Sequence, residues 1–212
     1  MNTRLLLDGL DELGIPASEN QIRQIESYIG EFERWNRRMN LVKATGDAFI
    51  VRHVLDSLSG VPTVQWLGGD NLLDAGSGAG LPGVPLAVFL SGREVTLLDR
   101  SAKRAAFLKS AVAVVPLENC RVSETELDRD EGLYDIVCCR AFRPLKISFP
   151  GLVRRLAPGG TLVLYKGKRA IIDEELRAVD EESTGYERRI VPVSVPFLEE
   201  ERHLLLFRDT SL

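Results

Sequence analysis

Cysteine is scarce in this chain of 212 residues: Cys120, Cys138 and Cys139 are the only three. They lack the paired spacing of a zinc site, and an adjacent pair on a strand points to opposite faces. They read as reduced thiols in or near the core of a cytosolic protein, and no metal site is expected. Long apolar runs are missing too. Nothing approaches the roughly twenty residues of a membrane span, and acids interrupt MNTRLLLDGLDELG where a signal peptide needs an unbroken apolar stretch. Positive charge is in deficit as well. A net charge of −4 gives no global attraction to nucleic acid, so any such binding has to come from a local patch. Internal repeats, low-complexity tracts and linkers are absent. The expectation is a soluble, cytoplasmic, monomeric protein.

What is present is an ordinary globular composition, 44% hydrophobic and 27% charged, sufficient for one domain with an extension. From Ile22 to Met39, Ile22, Ile25, Ile29, Phe32, Trp35 and Met39 recur at helical spacing. Ser18 is placed to cap that helix, with Gln21 completing a capping box. The first sixty residues hold no convincing strand, so residues 1–60 read as a helical extension and 61–212 as the main domain. Beyond Gly60 short apolar runs alternate with helix-length segments: 72–75, 94–99, 134–139 and 161–166, with a weaker strand at 120–122. Runs apolar at consecutive positions belong to strands covered on both faces, which implies a mostly parallel α/β sheet. IVPVSVP at 190–196 and RHLLLFR at 202–208 read as a terminal antiparallel hairpin at the sheet edge.

The segment Leu72 to Gly83, LLDAGSGAGLPG, is a strand-to-helix turn. Its strand ends at Asp74; Gly76, Gly78 and Gly80 follow at alternate positions, and Pro82 opens a helix, where its missing N–H costs nothing. Glycines let the backbone turn tightly and come close to a ligand, with helix N–H groups facing it. Asp99, at the end of the next strand, is placed to accept ribose hydroxyls. Gly78, Gly80 and Gly83 also satisfy G-x-G-x-x-G, so a dinucleotide is the competing ligand. Three features favour S-adenosylmethionine instead. Asp74 at the strand tip suits the ammonium of a methionine moiety, the chain leaves little room for a dehydrogenase substrate domain, and the terminal hairpin suits a class I (Rossmann-like) S-adenosylmethionine-dependent methyltransferase.

Six segments, WNRRMNLV at 35–42, VRHVLDSL at 51–58, the glycine turn at 72–87, LLDRSAKRAAFL at 97–108, CRAF at 139–142 and ERHLL at 201–205, together resemble the bacterial small-subunit ribosomal RNA methyltransferase G family, also called glucose-inhibited division protein B. The resemblance covers nearly the whole chain. It implies methyl transfer to N7 of one guanine in 16S ribosomal RNA, with the RNA or the small ribosomal subunit as partner. It implies cofactor contacts at Gly76, Leu81, Glu124, Thr125 and Arg140; the family usually has glutamate where this chain has Thr125.

Guanine N7 carries an in-plane lone pair, so its methylation needs alignment rather than a general base. Arg140, directly after the strand YDIVCC, stands at the carboxyl end of the sheet, where it can hold cofactor, guanine O6 or a phosphate, or pair with an acid at the surface. His53, Asp56 and Ser57 fall on one helical face, His53 serving catalysis or packing. Asn40 either reads the guanine edge or caps a helix. Trp35, Phe142 and Tyr165 are the aromatics able to sandwich an unstacked base, with a core role as the alternative for Trp35. Cations gather at Arg34, Arg37, Arg38 and Lys43, at 100–109, at Arg140, Arg143 and Lys146, and at Lys166, Lys168 and Arg169. Each cluster is an RNA contact or a solvated face, the latter favoured for 100–109. A small-molecule methyltransferase of the same fold is the second functional reading.

Overall fold

Ser18 accepts a hydrogen bond from the Gln21 N–H at 3.3 Å while Gln21 Oε1 accepts from the Ser18 N–H at 2.9 Å, so both arms of the capping box form. Helix α2 (Glu19–Met39) starts there and buries Ile22, Ile25, Ile29 and Phe32 along the expected stripe. The computed structural model describes residues 1–210; Ser211 and Leu212, the end of the expected main domain, lie outside the described residues. Helix α1 (Thr3–Glu12) precedes α2. After it come α3 (Gly46–Phe49), a π-helical turn (Ile50–Leu55), α4 (Asp56–Leu58) and α5 (Val61–Leu67). The helical run therefore passes residue 60 and ends only before the first strand.

Seven strands form one sheet: β1 (Asn71–Ala75), β2 (Glu94–Leu98), β3 (Cys120–Ser123), β4 (Tyr134–Arg140), β5 (Leu156–Lys166), β6 (Tyr186–Val193) and β7 (Arg202–Asp209), in the order β3-β2-β1-β4-β5-β7-β6. The first five are parallel, β7 runs antiparallel to β5, and β6 runs antiparallel to β7. Helices α6 (Gly83–Phe89), α7 (Ala102–Val114), α8 (Leu145–Val153) and α9 (Arg169–Ala178) connect them. Consecutive apolar residues serve opposite faces. Leu72, Ile136, Cys138 and Val163 pack into a core with α1, α2, α6 and α7. Leu73, Val137, Cys139 and Leu162 pack into a second core with α8 and α9. The helical segment thus shares its core with the sheet.

Two strand boundaries differ from expectation. β5 begins at Leu156 rather than at 161, because its first residues pair only irregularly with β4, the register shifting between Tyr134 and Ile136. β6 covers 186–193 rather than 190–196: as an edge strand it is half-exposed throughout, and Glu187, Arg188 and Arg189 carry no apolar signal. The antiparallel course of β7 has a functional consequence. His203, near its start, lies opposite Lys166, the last residue of β5, so Arg202 and His203 arrive at the same edge as the carboxyl ends of β1, β4 and β5.

Candidate active site

At that edge the glycine turn closes on itself. The N–H groups of Gly76 and Ser77 both donate to the Leu98 carbonyl, at 2.8 and 2.9 Å, and the Gly78 N–H donates to Asp99 Oδ2 at 3.0 Å. Asp74 lies beneath the turn, fully buried, its Oδ2 accepting from the Gly83 N–H at 2.9 Å. Gly83 has to be glycine, since a Cβ there would stand 2.5 Å from that oxygen and 2.2 Å from Leu97 Cδ2. Gly76, at φ 74°, faces the Phe142 ring so closely that a Cβ would come within 2.3 Å of it. Tyr28 of α2 donates its hydroxyl to the Ala79 carbonyl at 2.6 Å, tying the helical segment to the turn.

Within the turn itself, the N–H groups of Gly76, Ser77 and Gly78 are committed to Leu98 and Asp99, and the first N–H of α6, that of Gly83, to Asp74. These bonds separate the two candidate ligands. A pyrophosphate needs free N–H groups and a positive helix end here; this turn has few to offer, and the Asp74 carboxylate already occupies the start of α6. A ligand with a cationic head meets the opposite situation. Asp74 Oδ1 is buried without a hydrogen-bond partner among the described residues, and burial, the largest cause, raises the carboxyl pKa to about 6 despite the Gly83 bond. A nearby cation would relieve both costs.

Three cavities meet at Ala141, a non-glycine residue held at φ 50° directly after β4. The first, about 230 Å³, is lined by Gly76, Asp99, Arg104, Thr125 and Phe142 among others. Asp99 Oδ1 also accepts from the Ser101 N–H at 2.9 Å, so both oxygens are fixed at the cavity wall. The second, about 410 Å³, is lined by Arg52, His53, Arg140, Lys166, Arg202 and His203. The third, about 340 Å³, lies between Phe142, Tyr165, Lys166 and Glu175.

The floor of the second cavity is a charge cluster. Asp56, buried, accepts from Arg140 Nη1 at 2.8 Å on one oxygen and from Arg202 Nε at 2.9 Å on the other. Arg140 Nη2 lies 3.2 Å from His53 Nδ1. A guanidinium has no acceptor, so Nδ1 is the lone-pair nitrogen and Nε2 carries the proton. Burial first, and Arg140 second, lower the His53 pKa to about 4. Ser57 turns away, donating to the His53 carbonyl at 2.6 Å. The π-helical turn through His53 replaces the regular helix that the spacing implied, a local widening often found at functional sites.

Other expected positions fall differently. Asn40 is exposed, in the left-handed C-cap position of α2, its N–H bonded to Asn36 O at 3.0 Å; helix capping is the role seen. Leu81 is buried in the core behind the turn. Thr125 lines the first cavity, whereas Glu124 points out to Lys109 at 2.7 Å. Trp35 donates to Glu31 and packs edge-on against Phe107, and Tyr165 is buried with its hydroxyl on the Ser57 carbonyl. Phe142 is half-exposed at the meeting point of the cavities, with Arg143 5.1 Å above its ring. In the 100–109 cluster Arg100, Arg104 and Lys109 pair with Glu126, Asp99 and Glu124, whereas Arg37, Arg38 and Lys146 form no ion pair among the described residues. Arg202, Lys166 and Glu175 went unassigned as site residues; the ERH motif and the basic end of TLVLYK were the available signals for the first two, and α9 offered none for Glu175.

A family model described as rRNA small subunit methyltransferase G matches residues 21–205. The chain is 36% identical over 210 residues to the ribosomal RNA small subunit methyltransferase G of Pseudomonas aeruginosa, covering 97% of this chain and 95% of the relative. To the protein of that name from Cellvibrio japonicus it is 35% identical, covering 96% and 93%. Among solved structures, an O-methyltransferase from Bacillus cereus in complex with SAH superposes with a TM-score of 0.64 at 18% identity over 94% of this chain and 95% of that one. The magnesium protoporphyrin IX methyltransferase of Synechocystis with bound SAM gives 0.57 at 20% identity over 92% and 99%.

Proposed function

We propose that this chain, which belongs to the rRNA small subunit methyltransferase G family, uses S-adenosylmethionine to methylate N7 of a guanine in 16S ribosomal RNA. The family and the fold of the structural neighbours make it a class I methyltransferase, and the small-molecule reading is not favoured. One observation carries the assignment of the site: the glycine turn, with the unpaired Asp74 oxygen buried beneath it, borders a cavity that meets, at Ala141, a second cavity floored by two arginines on one buried carboxylate.

The residues present fit the cofactor. Asp99 and Thr125 line the cavity that would take an adenosine, the missing side chain at Gly76 lets the Phe142 ring close over the turn, and Asp74 would supply the countercharge for an ammonium group. When bound, the cofactor supplies an electrophilic methyl group. The protein's part is then positional. Asp56 fixes Arg140 and Arg202 at the cavity floor, neutral His53 holds the second amino group of Arg140, and the arginines donate to guanine O6 or to a phosphate. Positive charge leaves sulfur as it arrives on the purine, and N7 attacks through its own lone pair, so no proton transfer is needed. The unpaired Arg37 and Arg38 at the end of α2 supply part of the RNA contact despite the net charge of −4. All the groups this mechanism uses come from one chain, which supports the reading of it as a monomer. With methyl-labelled cofactor, the protein should label small subunits or 16S RNA from cells lacking it, and nuclease digestion should release 7-methylguanosine. Transfer to another base, or to no ribosomal RNA in any assembly state, overturns the reading.

A further inference from the structure

The third cavity shares Phe142 with the first and Lys166 with the second, and adds Glu175, which neither of them contains. It is lined on one side by the Phe142 ring and on the other by a pair of opposite charges. Lys166 Nζ donates to Glu175 Oε1 at 2.8 Å and stands 2.7 Å from Oε2. The ammonium thus sits against both carboxylate oxygens, and with no third hydrogen-bond partner for either group among the described residues the pair faces the cavity as a self-contained unit. The side chains are 19% and 23% exposed, partly withdrawn from water but not sealed.

We propose that this cavity receives the target guanine and that the Lys166–Glu175 pair reads its Watson–Crick edge, an inference that rests on the RNA methyltransferase reading above. Going around guanine from the reacting N7, the groups are O6, an acceptor, then N1–H and the N2 amino group, both donors. Going outward from the cofactor side, the protein offers Arg140 on β4, Lys166 at the end of the neighbouring β5, and Glu175 on α9. An ammonium facing O6 and a carboxylate facing N1–H and N2–H match that order. Adenine reverses it, setting a donor against Lys166 and an acceptor against Glu175. Phe142 supplies the stacking face for a base brought out of the RNA; Tyr165, on the wall of the same cavity, is buried with its hydroxyl tied to the Ser57 carbonyl, and Trp35 packs against Phe107 away from it.

The test is a 16S RNA transcript carrying inosine in place of part of its guanosine, offered both naked and reconstituted into small subunits. Inosine keeps N7, O6 and N1–H and lacks only the N2 amino group. After digestion, the ratio of 7-methylguanosine to 7-methylinosine, corrected for template composition, measures specificity within a single reaction and is unaffected by the fraction of enzyme that is folded. The wild-type protein should prefer guanine on the order of tenfold, the worth of one hydrogen bond to a charged group. Glu175→Ala should bring the ratio close to one, and Glu175→Gln should lie between. An unchanged ratio in Glu175→Ala, or no preference in the wild-type protein, overturns the pocket. Failure of the wild-type protein to label either form of RNA removes the RNA reading itself, and the pocket with it.

Discussion

Asp56→Asn tests whether the buried carboxylate organises the active-site arginines. The substitution keeps shape and removes the charge shared by Arg140 and Arg202, which lie 2.8 and 2.9 Å from its two oxygens. Breaking a buried ion pair by deleting one partner costs about 3–5 kcal/mol. The arginine side chains are 15% and 23% exposed, so water recovers part of this, and about 3 kcal/mol is the reasonable expectation. At about 2–4 °C per kcal/mol for a chain of this size, the unfolding midpoint should fall by about 6–12 °C. Function should suffer more. The one amide oxygen left can serve Arg140 or Arg202 but not both, and the NH2 group would face the other guanidinium, donor against donor; displacement of a positioning group by about 1 Å can cost on the order of 100-fold in kcat/KM. Calorimetry and methyl transfer to small subunits measure the two effects separately, at a temperature well below the variant's midpoint. A variant within about 1 kcal/mol of wild type that retains kcat/KM within about threefold would refute the idea that Asp56 holds this cluster, since both values fall far short of the loss of a buried pair.

Two glycines of the turn should fail in opposite ways. Gly83→Ala forces a Cβ onto Leu97 and Asp74 and should destabilise the fold by about 1–3 kcal/mol, whereas Gly78→Ala, at φ 57° with only the Gly76 carbonyl 3.8 Å away, should cost about 1–2 kcal/mol of backbone strain and weaken cofactor binding beyond that; calorimetry beside equilibrium binding of S-adenosylmethionine separates them, and equal binding losses at matched stability would contradict the placement of the ligand. His53, its pKa lowered to about 4, should stay neutral, so its ring NMR signals should not titrate between pH 8 and 5.5. The sign follows from the folded value lying below the unfolded 6.5: the stabilisation is complete above pH 6.5 and is lost as pH falls toward 4, and a folded midpoint above 6 would rule out the neutral ring.

How much of this was written in the sequence depends on the range of the interaction. Ser18 and Gln21 are three residues apart, so the capping box was legible; so were the doubly covered strands, because Leu72–Leu73 and Cys138–Cys139 each serve both faces. Asp56, Arg140 and Arg202 are separated by 84 and 146 residues along the chain, and only the strand order, with β7 inserted between β5 and β6, brings them together. The glycine turn was legible as a turn, but not the direction of its N–H groups, which depends on Leu98 and Asp99 coming alongside. Asn40 could not be placed from sequence because an asparagine that reads a base and an asparagine in a left-handed cap look identical in one dimension; the structure shows it at the C-cap of α2.

The three cysteines, an argument from scarcity at the outset, also decide how the protein can be handled. Burial pushes the Cys120 and Cys139 thiols up to about 12 and Cys138 well above the usual range, and none is exposed. At neutral pH they are thiols without access to reagents, and maleimide chemistry needs an accessible thiolate. A single cysteine placed on the exposed rim, at Lys146 for instance, would therefore be the one site to take a dye in the native protein. With no native cysteine to remove first, RNA docking and release could be followed by fluorescence on an otherwise unaltered chain.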